Sequence, residues 1–432
     1  MRQLIPGLRS GARPSSWSRQ LAGDSAWMLG AQVVRTVGQA AYFIIVARAL
    51  GAHEFGILAA TLAITAIAVP FAGWGGSNLM IMRTSRDQAT FALAFGTSLL
   101  MVAISGGGLV VLTSSAAVLL VASIPYKLAL EIAVADLVFA RISETCSQSY
   151  QGFGRQATSA RLATVPFLVR LVAVGGFAWS DGATASAWGG WYLAAAAVSA
   201  AVALLHVLMR LGRPVLSARA ALGQWKDGFF FAVGASSASI YNDLDKTMVA
   251  ALSTVRAAGV YGAASRIVST AFTPILAVFS ASYYRFFAAG AQGIDGTIAL
   301  ARRLALPVLS LGVAAAAVLW VVAPLAPLVL GADFASAESA IRWLALVPLL
   351  QAIFYLAGDV LTGAGHQGIR SGIQLGAAAL NIGLNLLLIP AYSWRGAAVA
   401  TLATDAALAL ALWAVVVRRA RRTRYVPAPL PA

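Results

Sequence analysis

Apolar runs near twenty residues long recur along the whole chain, separated by short polar segments. Two examples are 101-MVAISGGGLVVLTSSAAVLLVA-122 and 304-LALPVLSLGVAAAAVLWVVAPL-325. Each run is long enough to cross a hydrocarbon core of roughly 30 Å as a helix that rises about 1.5 Å per residue. The ten-residue alternation of membrane β-barrel strands is not found in the sequence. The pattern therefore predicts an all-α protein that crosses a membrane many times.

Twelve such spans can be counted, and the composition agrees with them. Hydrophobic residues make up 60% of the chain and charged residues only 11%, whereas about a quarter of a soluble domain is charged. The spans lie near residues 25–49, 56–81, 88–121, 127–150, 157–179, 186–209, 228–252, 258–284, 298–330, 337–361, 369–390 and 395–417. The third and ninth are longer than one straight crossing requires, and Pro324 and Pro327 predict a break in the ninth. The even count places both ends of the chain on one side.

The basic residues predict which side that is. Most of the 31 Lys and Arg residues, which give a net charge of +16, fall in segments on the same side as the N-terminus. Because such segments stay in the cytoplasm, both termini are expected there. Residues 1–24 lack the apolar core of a cleavable signal peptide, so the first span is expected to serve as an uncleaved targeting signal. Membrane lipids, rather than nucleic acid, are the expected partners of this charge.

Two pairs of short motifs indicate that the halves of the chain are related. The stretch 50-LGAHEFGILAA-60 resembles 253-STVRAAGVYGAA-264, with Gly56 aligned to Gly259, and 152-GFGRQ-156 resembles 363-GAGHQ-367. Both pairs follow equivalent spans, so they predict a duplicated six-helix lobe. The predicted division is a cytoplasmic segment (1–24), an N-lobe (25–209), a cytoplasmic linker (210–227), a C-lobe (228–417) and a basic tail (418–432).

Ionisable residues inside the spans are the candidate functional residues. A charge at mid-bilayer costs about 2.5–3.5 kcal/mol on insertion scales, so it normally faces a protein interior or a wet cavity. Arg35 in the first span and Arg266 in the eighth are the strongest candidates, because a guanidinium keeps its proton and its planar fork suits phosphate. Two such cations in facing lobes would make a central cavity attractive to an anion. Asp136, Arg170 and Asp405 also lie at depth, where pairing between helices is the alternative role.

The stretch 236-SSASIYNDLDKTMVAAL-252 concentrates charge near the end of the seventh span. Asp243 and Lys246 are three residues apart and can pair on one helix face. Asp245 is rotated away from both, so it needs a partner on another helix. Arg266 lies at similar depth on the next helix. We therefore predict an Asp245–Arg266 bridge that opens when a substrate phosphate competes for the arginine.

The sequence contains no motif for nucleotide or metal chemistry. There is no Walker A sequence, so this chain is not expected to hydrolyse ATP. His53, His206 and His366 are widely separated and carry no metal-ligand spacing. We predict no cofactor, no metal and no catalytic residue.

Four stretches resemble bacterial polysaccharide and oligosaccharide-lipid flippases of the multidrug/oligosaccharidyl-lipid/polysaccharide (MOP) exporter superfamily. They are 47-ARALGAHEFGILAATLAI-64, 73-GWGGSNLMIMR-83, 243-DLDKTMVAALSTVRAAGVYGAASRI-267 and 379-ALNIGLNLLLIPAYSWRGAAVATLAT-404. The last stretch is the most specific, and the resemblance covers about residues 24 to 417. It implies two six-helix bundles around a central cavity that opens alternately to each side of the bacterial cytoplasmic membrane.

The resemblance also implies a substrate and partners. The substrate would be an undecaprenyl-diphosphate-linked oligosaccharide, moved from the inner to the outer leaflet for O-antigen, exopolysaccharide or capsule synthesis. A polysaccharide polymerase and chain-length machinery would be downstream partners. The two extra helices of lipid II flippases are missing from this chain, which favours the oligosaccharide branch.

Several site residues follow from the same resemblance. Arginines on the first and eighth helices of related lipid II flippases contact the diphosphate, and Arg35 and Arg266 occupy the corresponding helices. Arg48 and Arg83 lie nearer the span ends than the other cavity arginines of those relatives, and they are secondary candidates. Carboxylates such as Asp245 are candidates to bind Na⁺ or H⁺ and reset the carrier.

Three other functions are weighed against a flippase. A cation-coupled multidrug exporter of the same superfamily would need mainly acidic cavity residues, whereas this chain offers mainly arginine. A polyprenol-dependent membrane glycosyltransferase or ligase would need catalytic acids on substantial outer loops, and the predicted outer loops are short. A non-transporting scaffold would tolerate neutral replacements of Arg35 and Arg266. The residues favour a transporter over an enzyme.

Overall fold

Helices account for all regular structure in the residues that a computed structural model describes, which are 16–179, 184–223 and 244–424, with backbone alone up to residue 37. The helices of the first half are α1 (Ser16–Ala68), α2 (Gly76–Arg86), α3 (Phe91–Met101), α4 (Gly107–Leu120), α5 (Tyr126–Val134), α6 (Ala140–Gly152), α7 (Gln156–Ala178), α8 (Ala185–Arg210) and α9 (Ala218–Gly223). Those of the second half are α10 (244–252), α11 (Val255–Gly290), α12 (Gly293–Val322), α13 (Ala326–Leu330), α14 (Ala337–Leu344), α15 (Val347–Gly363), α16 (Gln367–Tyr392) and α17 (Trp394–Arg424). Within the described part, nine helical stretches are long and apolar enough to cross a membrane. The all-α polytopic prediction is thereby confirmed.

Most of the predicted spans agree closely with these helices. The first two, predicted at 25–49 and 56–81, are instead joined by the long helix α1, which is interrupted at Gly51 (φ 67°, ψ 173°). The sixth was predicted at 186–209 and is Ala185–Arg210, and the eleventh was predicted at 369–390 and is Gln367–Tyr392. Hydropathy locates such segments well because a helix in lipid must satisfy its backbone groups internally. Of the seventh predicted span, only residues 244–252 are described. The predicted segment 1–24, the linker 210–227 and the tail 418–432 are each only partly within the described residues.

The second predicted span is broken, which the hydropathy pattern did not indicate. Gly73, Trp74 and Gly75 have φ angles of 86°, 47° and 69° between the end of α1 and the start of α2. The released backbone groups are satisfied by neighbouring helices: Gly73 N donates to Ser105 Oγ at 2.8 Å, and Arg141 Nε donates to the Ala72 carbonyl oxygen at 2.9 Å. Irregular backbone at membrane depth is tolerated where it is buried in protein in this way.

The long third and ninth spans depart from a straight helix differently. The ninth breaks at Ala323–Leu325, between α12 and α13, as Pro324 and Pro327 predicted. The third continues through a π-helical turn at Val102–Gly106 between α3 and α4. The fourth span has a matching π-helical turn at Ala135–Phe139, between α5 and α6.

The two lobes meet where α1 crosses α11 with almost no space between the backbones. A Cβ on Gly56 would lie 2.9 Å from Gly259 N and closer still to the Val255 carbonyl oxygen. A Cβ on Gly259 would lie 3.0 Å from Gly56 N and closer still to the Ala52 carbonyl oxygen. Each glycine thus faces the carbonyl four residues before its counterpart. This reciprocity is what a two-fold relation produces, and it joins the two glycines that the sequence motifs align.

Polar contacts surround this crossing on the side predicted to be external. Arg256 Nη2 lies 3.4 Å from Asp333 Oδ1, in an exposed ion pair between α11 and the segment after α13. Ala185 N, at the start of α8, donates to Glu54 Oε2 at 2.7 Å. Surface ion pairs contribute little stability, so apolar packing around the glycine contact, including Phe55 against Phe334 with ring centroids 6.0 Å apart, is expected to contribute more.

Candidate substrate site

A cavity of about 670 Å³ lies between the two lobes. Helices from both lobes line it, including α1, α7, α8, α11, α15, α16 and α17. Six of the charged residues that the sequence singled out face it: Asp136, Arg170, Asp245, Lys246, Arg266 and Asp405. Charges that are costly in lipid are therefore gathered around one shared space, as intramembrane charges in transporters usually are.

On the N-lobe side of the cavity, Tyr192 contacts both a carboxylate and a guanidinium. Its hydroxyl donates to Asp136 Oδ1 at 2.7 Å. The Arg170 guanidinium carbon lies 4.3 Å from the centroid of the same ring, in cation–π geometry. The three residues come from α8, from the π-helical turn between α5 and α6, and from α7. They form a polar cluster on the N-lobe side of the cavity.

On the C-lobe wall, Asp245 is held by groups other than the one predicted. The Tyr261 hydroxyl donates to Asp245 Oδ2 at 2.6 Å and lies 3.1 Å from Thr401 Oγ1, while Lys246 N donates to Asp245 Oδ1 at 2.7 Å. Among the described residues, no ion pair within 4.0 Å joins Asp245 to Arg266, so the predicted bridge is absent from this conformation. Tyr261 precedes Arg266 by five residues, about 7.5 Å along the helix, and it occupies the carboxylate instead.

Replacing Tyr261 with phenylalanine should destabilise the protein measurably. Asp245 is only 9% exposed, and a buried acceptor that loses its donor costs about 1–3 kcal/mol. We expect a lower thermal unfolding temperature in detergent, monitored by intrinsic fluorescence. The control is Tyr126→Phe, because the Tyr126 side chain is 50% exposed at the start of α5. Equal unfolding temperatures for the two variants would mean that the Tyr261 hydroxyl does not stabilise Asp245.

Arg266 differs from the other charged residues because it is exposed and faces two cavities. It lines the central cavity and also a second cavity of about 440 Å³. No carboxylate oxygen of the described residues lies within 4.0 Å of its guanidinium. Its fork of donors is therefore directed into space that a ligand can enter.

The second cavity is mostly apolar. Among the described residues, its polar lining besides Arg266 consists of Gln39 on α1 and Ser269, Thr270 and Thr273 on α11. The apolar lining comes from α1 and from the broken ninth span, chiefly Leu319, Val322, Leu325, Val329 and Leu330. This mostly apolar second cavity thus meets the central cavity at the Arg266 guanidinium.

The remaining predicted residues are placed as follows. Arg35 lies in α1, but its side chain is outside the described part, and Asp243 is also outside it, so the Asp243–Lys246 pair stays a prediction. The structure puts neither Arg48 nor Arg83 in the lining of the cavity. Arg48 sits three residues before the Gly51 break, and Arg83 lies in the last turn of α2, so both are too close to helix ends.

Sequence reasoning missed the tyrosines that organise the cavity. Tyr42, Tyr192, Tyr261 and Tyr355 all line it, and two of them hold its carboxylates. One signal was available, because tyrosine in membrane helices concentrates at the interfaces. Tyr192 lies about two turns inside α8, where a hydroxyl needs a partner within the protein.

The sequence and the fold are both similar to known proteins. The sequence model of a family described as polysaccharide biosynthesis protein matches residues 21–290, which is more than half of the chain. No curated protein sequence matches the chain significantly.

Solved transporters of the MOP superfamily share the fold. An inward-facing conformation of a multidrug resistance MATE family transporter is 16% identical, with a TM-score of 0.76, over 91% of this chain and 96% of that one. An outward-facing conformation of such a transporter is 14% identical, with a TM-score of 0.58, over 91% and 95%. A MOP superfamily transporter from Pyrococcus furiosus, described as having a binding pocket of reverse polarity that suggests a different function, is 15% identical, with a TM-score of 0.60, over 91% and 95%.

These matches confirm the predicted fold class. The MATE-like fold has 12 helices in two lobes. Sequence identities this low establish the fold alone and do not identify the substrate. Of the two conformations, the inward-facing one is the closer match, which agrees with the tight glycine contact on the side predicted to be external.

Proposed function

The chain belongs to the polysaccharide biosynthesis protein family, and we propose that this MOP-superfamily transporter moves an undecaprenyl-diphosphate-linked oligosaccharide across the bacterial cytoplasmic membrane. The cargo would enter from the inner leaflet and leave to the outer leaflet through alternating access of the central cavity. The oligosaccharide would then serve the synthesis of a surface polysaccharide. The polymerase that would use it is a proposed partner.

The exposed guanidinium of Arg266 is the observation that supports this proposal most. A charge at membrane depth costs about 2.5–3.5 kcal/mol on insertion scales. Arg266 nevertheless faces both cavities with no carboxylate of the described residues within 4.0 Å. A diphosphate would neutralise it through charge-assisted, bidentate hydrogen bonds. Arg35 on α1 is the proposed second cation.

The neighbouring apolar cavity suits the lipid part of the same molecule. Arg266 stands at the junction of the two cavities. A diphosphate bound there would have its sugar in the central cavity and its first isoprene units against Leu319, Val322 and Leu325. The rest of the polyprenyl chain would stay in the bilayer, which spares the transporter from enclosing it.

A cation-coupled drug exporter is the alternative, because solved multidrug transporters share the fold, but the cavity side chains argue against it. Such a cargo needs accessible carboxylates. Asp245 is 9% exposed and held by Tyr261, and Asp405 is fully buried. The third acid that the described residues place in the cavity, Asp136, lies beside the Arg170 guanidinium, which offsets its charge. The exposed Arg266, the two covered acids and this balanced pair together favour an anionic cargo. Asp245 remains our candidate for binding Na⁺ or H⁺ in coupling.

Depletion of the protein in its native host tests the proposed function. We expect lipid-linked oligosaccharide to accumulate on the inner leaflet, measured by extraction and by protection from an impermeant reagent in intact cells. Restoring wild-type protein should return the lipid to its normal level, whereas Arg266→Gln should not. Normal levels during depletion, together with unaltered surface polysaccharide, would contradict the proposal.

A further inference from the structure

The cluster of Asp136, Arg170 and Tyr192 has binding capacity that the diphosphate does not use. Asp136 Oδ1 accepts from the Tyr192 hydroxyl at 2.7 Å. Among the described residues, no group donates to the second oxygen of Asp136, and no carboxylate lies within 4.0 Å of Arg170. Asp136 and Arg170 are each half-buried and line the central cavity. One carboxylate oxygen and the guanidinium donors can therefore reach a ligand.

The backbone holds Asp136 in this position through an unusual local geometry. Asp136 lies in the π-helical turn Ala135–Phe139, which packs against the second π-helical turn, Val102–Gly106. Contact is close because Gly106 has no side chain: a Cβ there would lie 2.5 Å from the Leu137 carbonyl oxygen. Single π-helical turns inside α-helices are frequent at functional sites. Two of them side by side supply structural support for a specific position of Asp136.

The charge of the cluster indicates the class of ligand. One carboxylate and one guanidinium balance each other, so a second phosphate would gain little net attraction there. A bare cation at Asp136 would be repelled by Arg170, whose charge is held over the ring that donates to the same carboxylate. A neutral molecule that both donates and accepts hydrogen bonds fits best. Adjacent hydroxyl groups of a pyranose have this property.

The surroundings favour a sugar as well. Tyr42 lines the cavity beside the cluster and packs on Trp188, with ring centroids 5.9 Å apart. Trp188 in turn lies 6.2 Å from Tyr192. Rigid aromatic rings next to a few placed polar groups are typical of small-molecule sites, and apolar sugar faces pack well on such rings.

We propose that Asp136, Arg170 and Tyr192 form a glycan subsite that binds hydroxyl groups of a pyranose in the lipid-linked substrate. This inference rests on the proposed function and adds to it an orientation: the C-lobe residue Arg266 binds the diphosphate, and the N-lobe cluster binds the sugar. Asp136 accepts from a sugar hydroxyl, Arg170 donates to a neighbouring one, and Tyr192 orients both side chains. The N-lobe would then distinguish among sugars, and the C-lobe would recognise every lipid diphosphate.

The test compares two probes on the purified full-length protein in detergent. The first probe is undecaprenyl diphosphate, and the second is the same lipid carrying one N-acetylglucosamine. We expect wild type to bind the glycosylated lipid more tightly than undecaprenyl diphosphate. In Asp136→Asn, the affinity for the glycosylated lipid should fall roughly tenfold, because one charge-assisted hydrogen bond is lost. Binding of undecaprenyl diphosphate should stay within about twofold of wild type. Dissociation constants come from tryptophan fluorescence titrations.

Two further variants keep the outcome interpretable. Asp295→Asn is the matched control, because Asp295 is an exposed carboxylate in the first turn of α12, outside the cavity lining. Tyr192→Phe keeps the ring under Arg170 but removes the hydroxyl that donates to Asp136. It should weaken binding of the glycosylated probe only. Each variant is accepted only if its thermal unfolding temperature shows that it is folded.

The possible results separate this inference from the proposed function. If wild type binds both probes equally, or if Asp136→Asn weakens both equally, the glycan subsite is wrong. If binding of the glycosylated lipid instead depends on Na⁺ and this dependence disappears in Asp136→Asn, Asp136 is a cation site and the inference is overturned. If neither probe binds, or if Arg266→Gln changes neither, the proposed function itself fails.

Discussion

Replacing Gly56 with leucine is expected to abolish transport by preventing closure on the external side. The added side chain would meet the backbone of α11 at Val255 and Gly259, which cannot move aside as a flexible side chain could. Overpacking costs about 1–3 kcal/mol and occasionally more, which changes a two-state equilibrium by roughly 5- to 150-fold. Because the proposed alternating access would separate these helices in an outward-open state, the variant should fold and accumulate in that state.

Cysteine labelling can measure this shift. Ser269, which is exposed in both cavities, is replaced by cysteine in a background without the buried Cys146. A membrane-impermeant thiol reagent added from outside should label Ser269→Cys faster when Gly56→Leu is present. The control is Gly262→Ala, because a Cβ there would lie an ordinary 3.5 Å from the Ala59 side chain. Wild-type labelling and transport in Gly56→Leu would show that the crossing is not a gate.

Replacing Arg266 with glutamine should remove the recognition of a lipid diphosphate that we propose for this residue. A hydrogen bond to a charged group contributes about 1.5–3 kcal/mol, so the affinity for undecaprenyl diphosphate should fall roughly 10- to 150-fold. Arg266→Lys should recover only part of this, because lysine lacks the bidentate fork. Arg303→Gln is the matched control, since Arg303 is exposed on α12 and lines neither cavity. An unchanged affinity in Arg266→Gln would show that Arg266 is not part of the diphosphate-binding site.

Much of the architecture could be predicted from one-dimensional patterns. Hydropathy located the helices because each span must be apolar over its whole length. Pro324 and Pro327 predicted the break in the ninth span because proline cannot continue the helical hydrogen bonds. The alignment of Gly56 with Gly259 predicted a two-fold relation, and the structure joins these two residues. In each case a local property of the chain decided the outcome.

The errors concern pairing between helices. The break at Gly73–Gly75 depends on Ser105 and Arg141 from two other helices, which hydropathy does not register. The predicted Asp245–Arg266 bridge was wrong for this conformation because a tyrosine lay nearer in space than the charged residue that seemed its natural partner. Depth along a helix can be estimated from sequence, but rotation and neighbours cannot. The same limit concealed the tyrosines of the cavity.

The most direct test of the account measures lipid movement itself. Purified protein is reconstituted into vesicles that hold undecaprenyl-diphosphate N-acetylglucosamine, and a lectin added outside reports the sugar that reaches the outer leaflet. We predict that wild type exposes the protected pool, that Arg266→Gln does so at least about tenfold more slowly, and that Arg303→Gln matches wild type. Exposure no faster than in protein-free vesicles, or equal rates for wild type and Arg266→Gln, would contradict this prediction.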